Sequence, residues 1–260
     1  MMTSEIATLT WIGQPVDCRQ CDHHALQRDG GCSPGHACMN DRYAPRIDRF
    51  FARHPQLAGS HLDHPYFEVR AVAARHVDLF QLRRLVDDPD EIVRWSAAQR
   101  LPLRQLLPLI HDPSREVRIR VAGRLPPEAL RAMADDADYY VRQIVARRLP
   151  AGLLRVMLDD PDPGVRRLIA LRADEALLPQ LWNDPDPEVR LLLVERAAPR
   201  QLLHWLDDPD WRVRHAVARR IEPGHLPQLA DDPDPIVREL VRQRRCGGDG
   251  LASNDLASME

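Results

Sequence analysis

Cys18 and Cys21 are separated by two residues, Cys32 follows after ten more, and Cys38 after a further five. A C-x2-C pair offers two thiolates from one turn, and two further thiolates close a four-sulfur site. Tetrahedral sulfur sites suit zinc or an iron–sulfur cluster, and the spacing alone leaves zinc and [4Fe–4S] both open, ahead of disulfides. His23, His24 and His36 could each replace a cysteine around zinc. Four cysteines already complete a set, so these histidines read as exposed loop residues. Cys246 lies far along the chain and reads as a free thiol. The C-x3-C-x2-C pattern of radical enzymes is absent, as are a nucleophile elbow, a P-loop, a dinucleotide fingerprint and any His-Glu dipeptide. No catalytic residues are therefore expected, and the chain reads as a non-enzyme.

Something must hold those cysteines in place. Their segment, with turn signals at Gly30-Gly31 and Pro34-Gly35, is too polar to build its own apolar core. Upstream, residues 1–14 are mildly apolar and suit a short strand or a packed arm. Downstream, Ile47, Phe50 and Phe51 fit a linking helix that docks on a first repeat. From about residue 61 the chain is periodic. Val-Arg recurs at Val69, Val93, Val117, Val141, Val165, Val189, Val213 and Val237, always 24 residues apart and without insertion. Such regularity marks an array in which each unit packs on its neighbours.

One unit, residues 183–206, shows the local logic. Asp186 can cap a helix through its free N–H groups. Pro187 suits the first helical position, and Glu188 favours the positive end of the helix dipole. Val189, Leu192, Leu193 and Arg196 follow at helical spacing until Pro199 interrupts. Leu202, Trp205 and Leu206 then form a piece so short that an α turn and a 3₁₀ turn are equally compatible. No segment alternates like a strand. A small-residue column (Ala74, Ala98, Ala122, Ala146, Ala170 and Ala218, with Val194 as the exception) reads as a packing seam.

Charged columns accompany it. Five residues before each Val stands Asp88, Asp112, Asp136, Asp160, Asp184, Asp208 or Asp232, with His64 in the first unit. The Val-Arg arginines and these acids predict a structural ladder of ion pairs, within or between units. A second column, Arg100, Arg124, Arg148, Arg172, Arg196, Arg220 and Arg244, ends each main helix. It lacks a regular acidic partner, which makes it the better candidate for a binding surface, although a solvated structural role is favoured. Doubled acids such as Asp159-Asp160 read as turn and cap chemistry. Trp95, Tyr139, Tyr140 and Trp211 break the pattern near helix starts, whereas Trp182 and Trp205 fall in core columns.

The chain has 260 residues, a net charge of −3 and no lysine. The near-neutral balance argues against a general nucleic-acid binder. No apolar run approaches the length of a membrane span, and the N-terminus lacks the basic start of a secretory signal. Clustered cysteines without such a signal suggest a reducing cytoplasm.

A four-cysteine segment followed by 24-residue units of the form D-D-P-D-x-x-V-R-x-x-x-A resembles the leucine-rich repeat variant family, specifically its iron–sulfur member from nitrogen-fixing bacteria. The resemblance spans about residues 16–245. It implies an all-α fold: a right-handed superhelical solenoid of about eight repeats, α-helix alternating with short 3₁₀ helix, behind a small iron–sulfur domain. It implies a [4Fe–4S] cluster on Cys18, Cys21, Cys32 and Cys38, in preference to zinc. Ala137 departs from the Asp-Asp-Pro pattern, and the first unit reads Asp63-His64-Pro65; neither touches the fold. The expected organisation is a cysteine-rich domain with its linking helix at 1–50, a solenoid at 51–245 and a disordered tail at 246–260. The expected role is a protein-interaction scaffold whose cluster transfers electrons, senses or staples. The alternative is a nucleic-acid-binding solenoid with a structural metal site.

Overall fold

The computed structural model describes residues 7–249. Among them every regular element is an α-helix or a 3₁₀ helix, and the extended pairings are isolated bridges at Leu9–Pro15 and Ser33–Ala37. The chain divides into two compact units, Met1–Met133 and Ala134–Glu260. Helix-on-3₁₀ repeats build each of them, as the 24-residue period predicts.

In the first unit the segment from Ala7 to Pro15 is an arm. It closes on itself through the Leu9–Pro15 bridge, and Trp11 stacks on Tyr66 with ring centres 6.0 Å apart. A 3₁₀ turn at Cys18–Gln20 and a short helix at His24–Arg28 follow. The helix Ala44–Arg53 buries Ile47, Phe50 and Phe51, as expected of a linking element, and it crosses the expected boundary between residues 50 and 51. Repeat helices Phe67–His76, Glu91–Ala98 and Arg115–Arg124 stack behind it. In the second unit the main helices are Tyr139–Arg148, Pro163–Arg172, Pro187–Arg196, Trp211–Arg220 and Pro235–Asp249. The last of these runs past Cys246, where the tail was expected to begin. The remainder of that tail, residues 250–260, lies outside the described residues, as do residues 1–6 of the arm.

Most main helices are capped by an aspartate, Phe67–His76 and Arg115–Arg124 being the exceptions. The side chains of Asp90, Asp138, Asp162, Asp186 and Asp210 accept hydrogen bonds from N–H groups of the first turn, which satisfies donors that have no partner in the helix. The valines of Val-Arg are fully buried, as is the small-residue column from Ala74 to Ala218. The second piece of each repeat is 3₁₀, for example Gln81–Leu85, Ala151–Met157 and Pro223–Leu229. Its anchors stand three residues apart, as in Leu82 with Leu85 and Leu226 with Leu229, and all four are buried; a three-residue turn places such pairs on one face. The repeat Leu103–His111 differs by opening with an α turn.

The charged columns are the mortar between repeats. Arg70, Arg94, Arg142, Arg166, Arg190 and Arg214 each direct Nε and Nη2 to both oxygens of an aspartate 18 residues ahead: Asp88, Asp112, Asp160, Asp184, Asp208 and Asp232 respectively. The pairing is thus between neighbouring repeats. The Arg142–Asp160 fork measures 2.7 and 3.0 Å. Nη1 of the same guanidinium donates to two carbonyls of its own turn, in Arg142 those of Asp136 and Ala137. The second arginine column takes the structural role favoured for it, half-buried and not solvated: Arg100 donates to the carbonyls of Ala74 and Val77, Arg196 to those of Ala170 and Ala173, and Arg244 to those of Ala218 and Ile221. These are the orphan carbonyls at the end of the preceding helix, and a cation suits that end of the dipole. Trp205 is buried as expected and donates from Nε1 to the Trp182 carbonyl at 3.0 Å. Tyr139, Tyr140 and Trp211 are exposed, while Trp95 lies beneath the Arg120 guanidinium, 4.6 Å from the ring centre.

Candidate metal centre

The four cysteines come in two pairs, each from one local structure. Cys18 opens the 3₁₀ turn, capped by Asp17, whose side chain accepts the Arg19 N–H; Cys21 follows that turn. Cys32 and Cys38 flank the tight turn closed by the Ser33–Ala37 bridge. Gly35 turns that corner at φ +75°, a region that favours glycine. Cys18 and Cys21 are half-buried, Cys32 and Cys38 buried, and none forms a disulfide.

Burial and neighbouring acidic groups act on the thiols of Cys18, Cys32 and Cys38 in one direction. Burial raises the Cys18 thiol, and the charges of Cys21 and Asp17 add to it. Burial likewise raises Cys32, with Cys21 and Cys18 contributing and Arg53 opposing. Cys38 is pushed up to about 11, chiefly by burial, then by Cys21, Asp41 and Cys18, against an opposing hydrogen bond from the Asn40 main chain. Gathered thiols that oppose one another's ionisation are stabilised as thiolates by a cation among them. Two N–H donors address Cys21 Sγ: Asn40 Nδ2 at 3.2 Å and the His23 main chain at 3.4 Å. Among the described residues, no three His, Cys, Asp or Glu side chains converge on a point where one metal ion would sit. The chemistry of the donor set nevertheless fits a thiolate-bound group: four unbridged thiols in one segment, with N–H groups aimed at sulfur.

The segment is tied to the helices beneath it by polar contacts. Asp41, fully buried, accepts from Arg46 Nη1 at 3.0 Å and from the Tyr43 N–H at 2.9 Å. The Cys38 N–H donates to the Arg46 carbonyl. His54 Nε2 donates to the Gly31 carbonyl at 2.9 Å, and a Cβ on Gly31 would stand 3.2 Å from the His54 ring, which explains a glycine there. His61 Nδ1 faces the Leu57 carbonyl at 2.8 Å and so carries its proton, leaving His61 Nε2 to accept from His23 Nε2 at 3.1 Å. His23 is therefore a tether, and burial followed by the His61 charge disfavours its protonation. His36 is exposed, its carbonyl taken by Arg49. Arg19, Arg28 and Arg42 lie close enough in sequence to donate to sulfur, but the side-chain donor is Asn40. Asn40 has no signature beyond its place two residues after Cys38. The Gly31–His54 contact is half visible in the sequence, as a turn glycine.

A four-cysteine head docked on helix-on-3₁₀ repeats defines an iron–sulfur repeat protein. Residues 8–60 match the family described as "LRV protein FeS4 cluster", and residues 115–138, 139–162 and 211–234 match "Leucine rich repeat variant" units. A solved structure described as "a leucine-rich repeat variant with a novel repetitive protein structural motif" is 43% identical, with a TM-score of 0.79, and the match covers 88% of this chain and 98% of that one. The chain belongs to the leucine-rich repeat variant family. It is also similar to the "Uncharacterized 27.7 kDa protein in nifB 3'region" of Rhodobacter capsulatus, 48% identical over 85 residues, or 33% of this chain. That match spans 35% of the relative's length.

Proposed function

We propose that Cys18, Cys21, Cys32 and Cys38 hold a [4Fe–4S] cluster, and that the chain is a non-enzymatic interaction scaffold carrying it. The observation that carries this reading is four unbridged thiols within one segment, with Asn40 and His23 N–H groups aimed at Cys21. When bound, such a cluster supplies one-electron chemistry, at a potential set by hydrogen bonds to its sulfurs and by exposure. The protein's share is to anchor the thiolates, donate to Cys21 and half-exclude water. The tethers His23–His61 and His54–Gly31 seat the cysteine segment on the end of the linking helix and on the 3₁₀ segment Pro55–His61 that follows it. The repeats offer an extended surface for a protein or redox partner. The relative's place beside nifB brings nitrogen fixation to this chain as a proposed setting. No helix of the described residues is long and apolar enough to cross a membrane.

Anaerobic purification, with iron, sulfide and zinc analysis and visible spectra before and after dithionite, tests the assignment. About four iron and four sulfide per chain, with a broad band near 400 nm that reduction bleaches, is the expected result. A colourless protein with one zinc would overturn it.

A further inference from the structure

The arginine ladder of the second unit stops at Arg238, and its last guanidinium is half engaged. Arg142, Arg166, Arg190 and Arg214 use Nη1 on carbonyls of their own turn and the Nε/Nη2 fork on an aspartate ahead. Arg238 keeps the first half of that pattern: Nη1 donates to the Asp232 carbonyl at 2.5 Å and to the Pro233 carbonyl at 2.9 Å. Its Nε–H and Nη2–H groups have no acceptor among the described residues. At the ladder's spacing the next acid would fall at position 256, which is Leu256. Around Arg238 lies a hollow of about 330 Å³ lined by Ala230, Val241, Arg242, Arg245 and Cys246. Arg244 is not part of it, being committed to the Ala218 and Ile221 carbonyls.

We propose that this end of the array binds an acidic segment of a partner protein, with an aspartate carboxylate on the Nε/Nη2 fork of Arg238 and further acid met by Arg245. The chain supplies the precedent itself. One repeat earlier, the same fork on Arg214 grips Asp232 at 2.7 and 2.9 Å. Arg238 is also pre-organised, since its Nη1 contacts hold the guanidinium plane before any ligand arrives, which lowers the entropy lost on binding. Arg238 and Arg245 on one hollow complement an acidic segment, whereas Arg242 beside them is paired to Glu239. Ala230 and Val241 give an apolar floor for a proline of the kind that follows each ladder aspartate. A second copy of this chain stacked end to end is the poorer occupant, because its first repeat carries His64 where the ladder needs an aspartate.

The test uses the full chain, labelled for NMR, titrated with the synthetic peptide Asp-Asp-Pro-Asp-Pro while the arginine Nε–H signals are followed. One such signal should shift saturably, and less so at high salt. Arg238→Lys keeps the charge but loses the fork, and should weaken binding by about tenfold or more. Arg245→Glu, an exposed change that leaves the fold alone, should weaken it too. Unmoved Nε–H signals overturn the proposal, as does equal binding by R238K or by a peptide with Asn for Asp. Inorganic phosphate binding as strongly as the peptide would overturn the carboxylate assignment. Binding seen only in a chain ending at Asp249 would assign the fork to the chain's own terminal residues and overturn the partner.

Discussion

Asp160 serves two repeats at once. Its two oxygens accept the Arg142 fork, one of them also accepts the Asp162 N–H at 2.8 Å, and its carbonyl accepts from Arg166 Nη1. Both members of the Arg142 pair are more than 90% buried, so removing one strands a charge. Asp160→Ala should cost about 3–5 kcal/mol, measured by urea unfolding. Arg167→Ala, which breaks a pair whose arginine side chain is 43% exposed, should cost less than about 1 kcal/mol; equal losses would refute the distinction. Acid acts on the same groups. Burial raises Asp232, but the Arg214 fork, the Asp234 N–H and the charges of Arg214 and Arg238 outweigh it and hold it below the ordinary 3.8. Asp210 is held low chiefly by Arg212. Asp186 is low because Arg167 and Glu188 N–H bonds outweigh burial. Carboxylates depressed in the folded state stabilise it fully above their unfolded value and lose that contribution as pH falls through the folded one. The melting temperature should therefore hold level down to about pH 5 and drop below about pH 4; a fall beginning near neutrality would point to histidine instead.

Elements were legible to the extent that their causes are written in side chains. The period, the capping aspartates and the three-residue spacing of the 3₁₀ anchors are all letters in the sequence, and the structure follows them. The structural role of the second arginine column was legible, but its partners were not, because they are main-chain carbonyls, which no letter records. The same holds for the candidate site: the cysteines announce themselves by spacing, but the contacts that seat them on the linking helix run to carbonyls of Gly31, Leu57 and Arg46. The seating itself is testable. His61→Phe keeps the ring packing against Phe51 and His23 but removes the acceptor for His23. Amide exchange should then quicken across residues 18–38 while the repeat helices stay protected; uniform change along the chain would contradict a local tether.

At the scale of the molecule, apolar burial is distributed unevenly. Within the cysteine segment the buried apolar side chains are Cys32, Ala37, Cys38 and Met39, whereas each repeat buries a valine, the seam residue and its 3₁₀ anchors. Stability of the repeats is then a sum over neighbours and owes nothing to a metal at the head. Chelation, or Cys38→Ser, should abolish the visible absorption and leave the far-ultraviolet helical signal within about a tenth of its starting value, since the repeats keep their own core. A collapse of the helical signal would mean that the head nucleates the array.

The fixed stride of the repeats also bears on heredity. Excising residues 163–186 joins Asp162 to Pro187, and the new junction presents Asp160 and Pro161 carbonyls to Arg190 in place of those of Asp184 and Pro185. Every bond across the splice has a ready replacement, so the shortened protein should fold and melt cooperatively, whereas loss of a single residue at the same place should not be tolerated. Unequal recombination between such interchangeable modules can lengthen or shorten the protein in whole steps, which makes reach a trait that varies without a new fold having to arise.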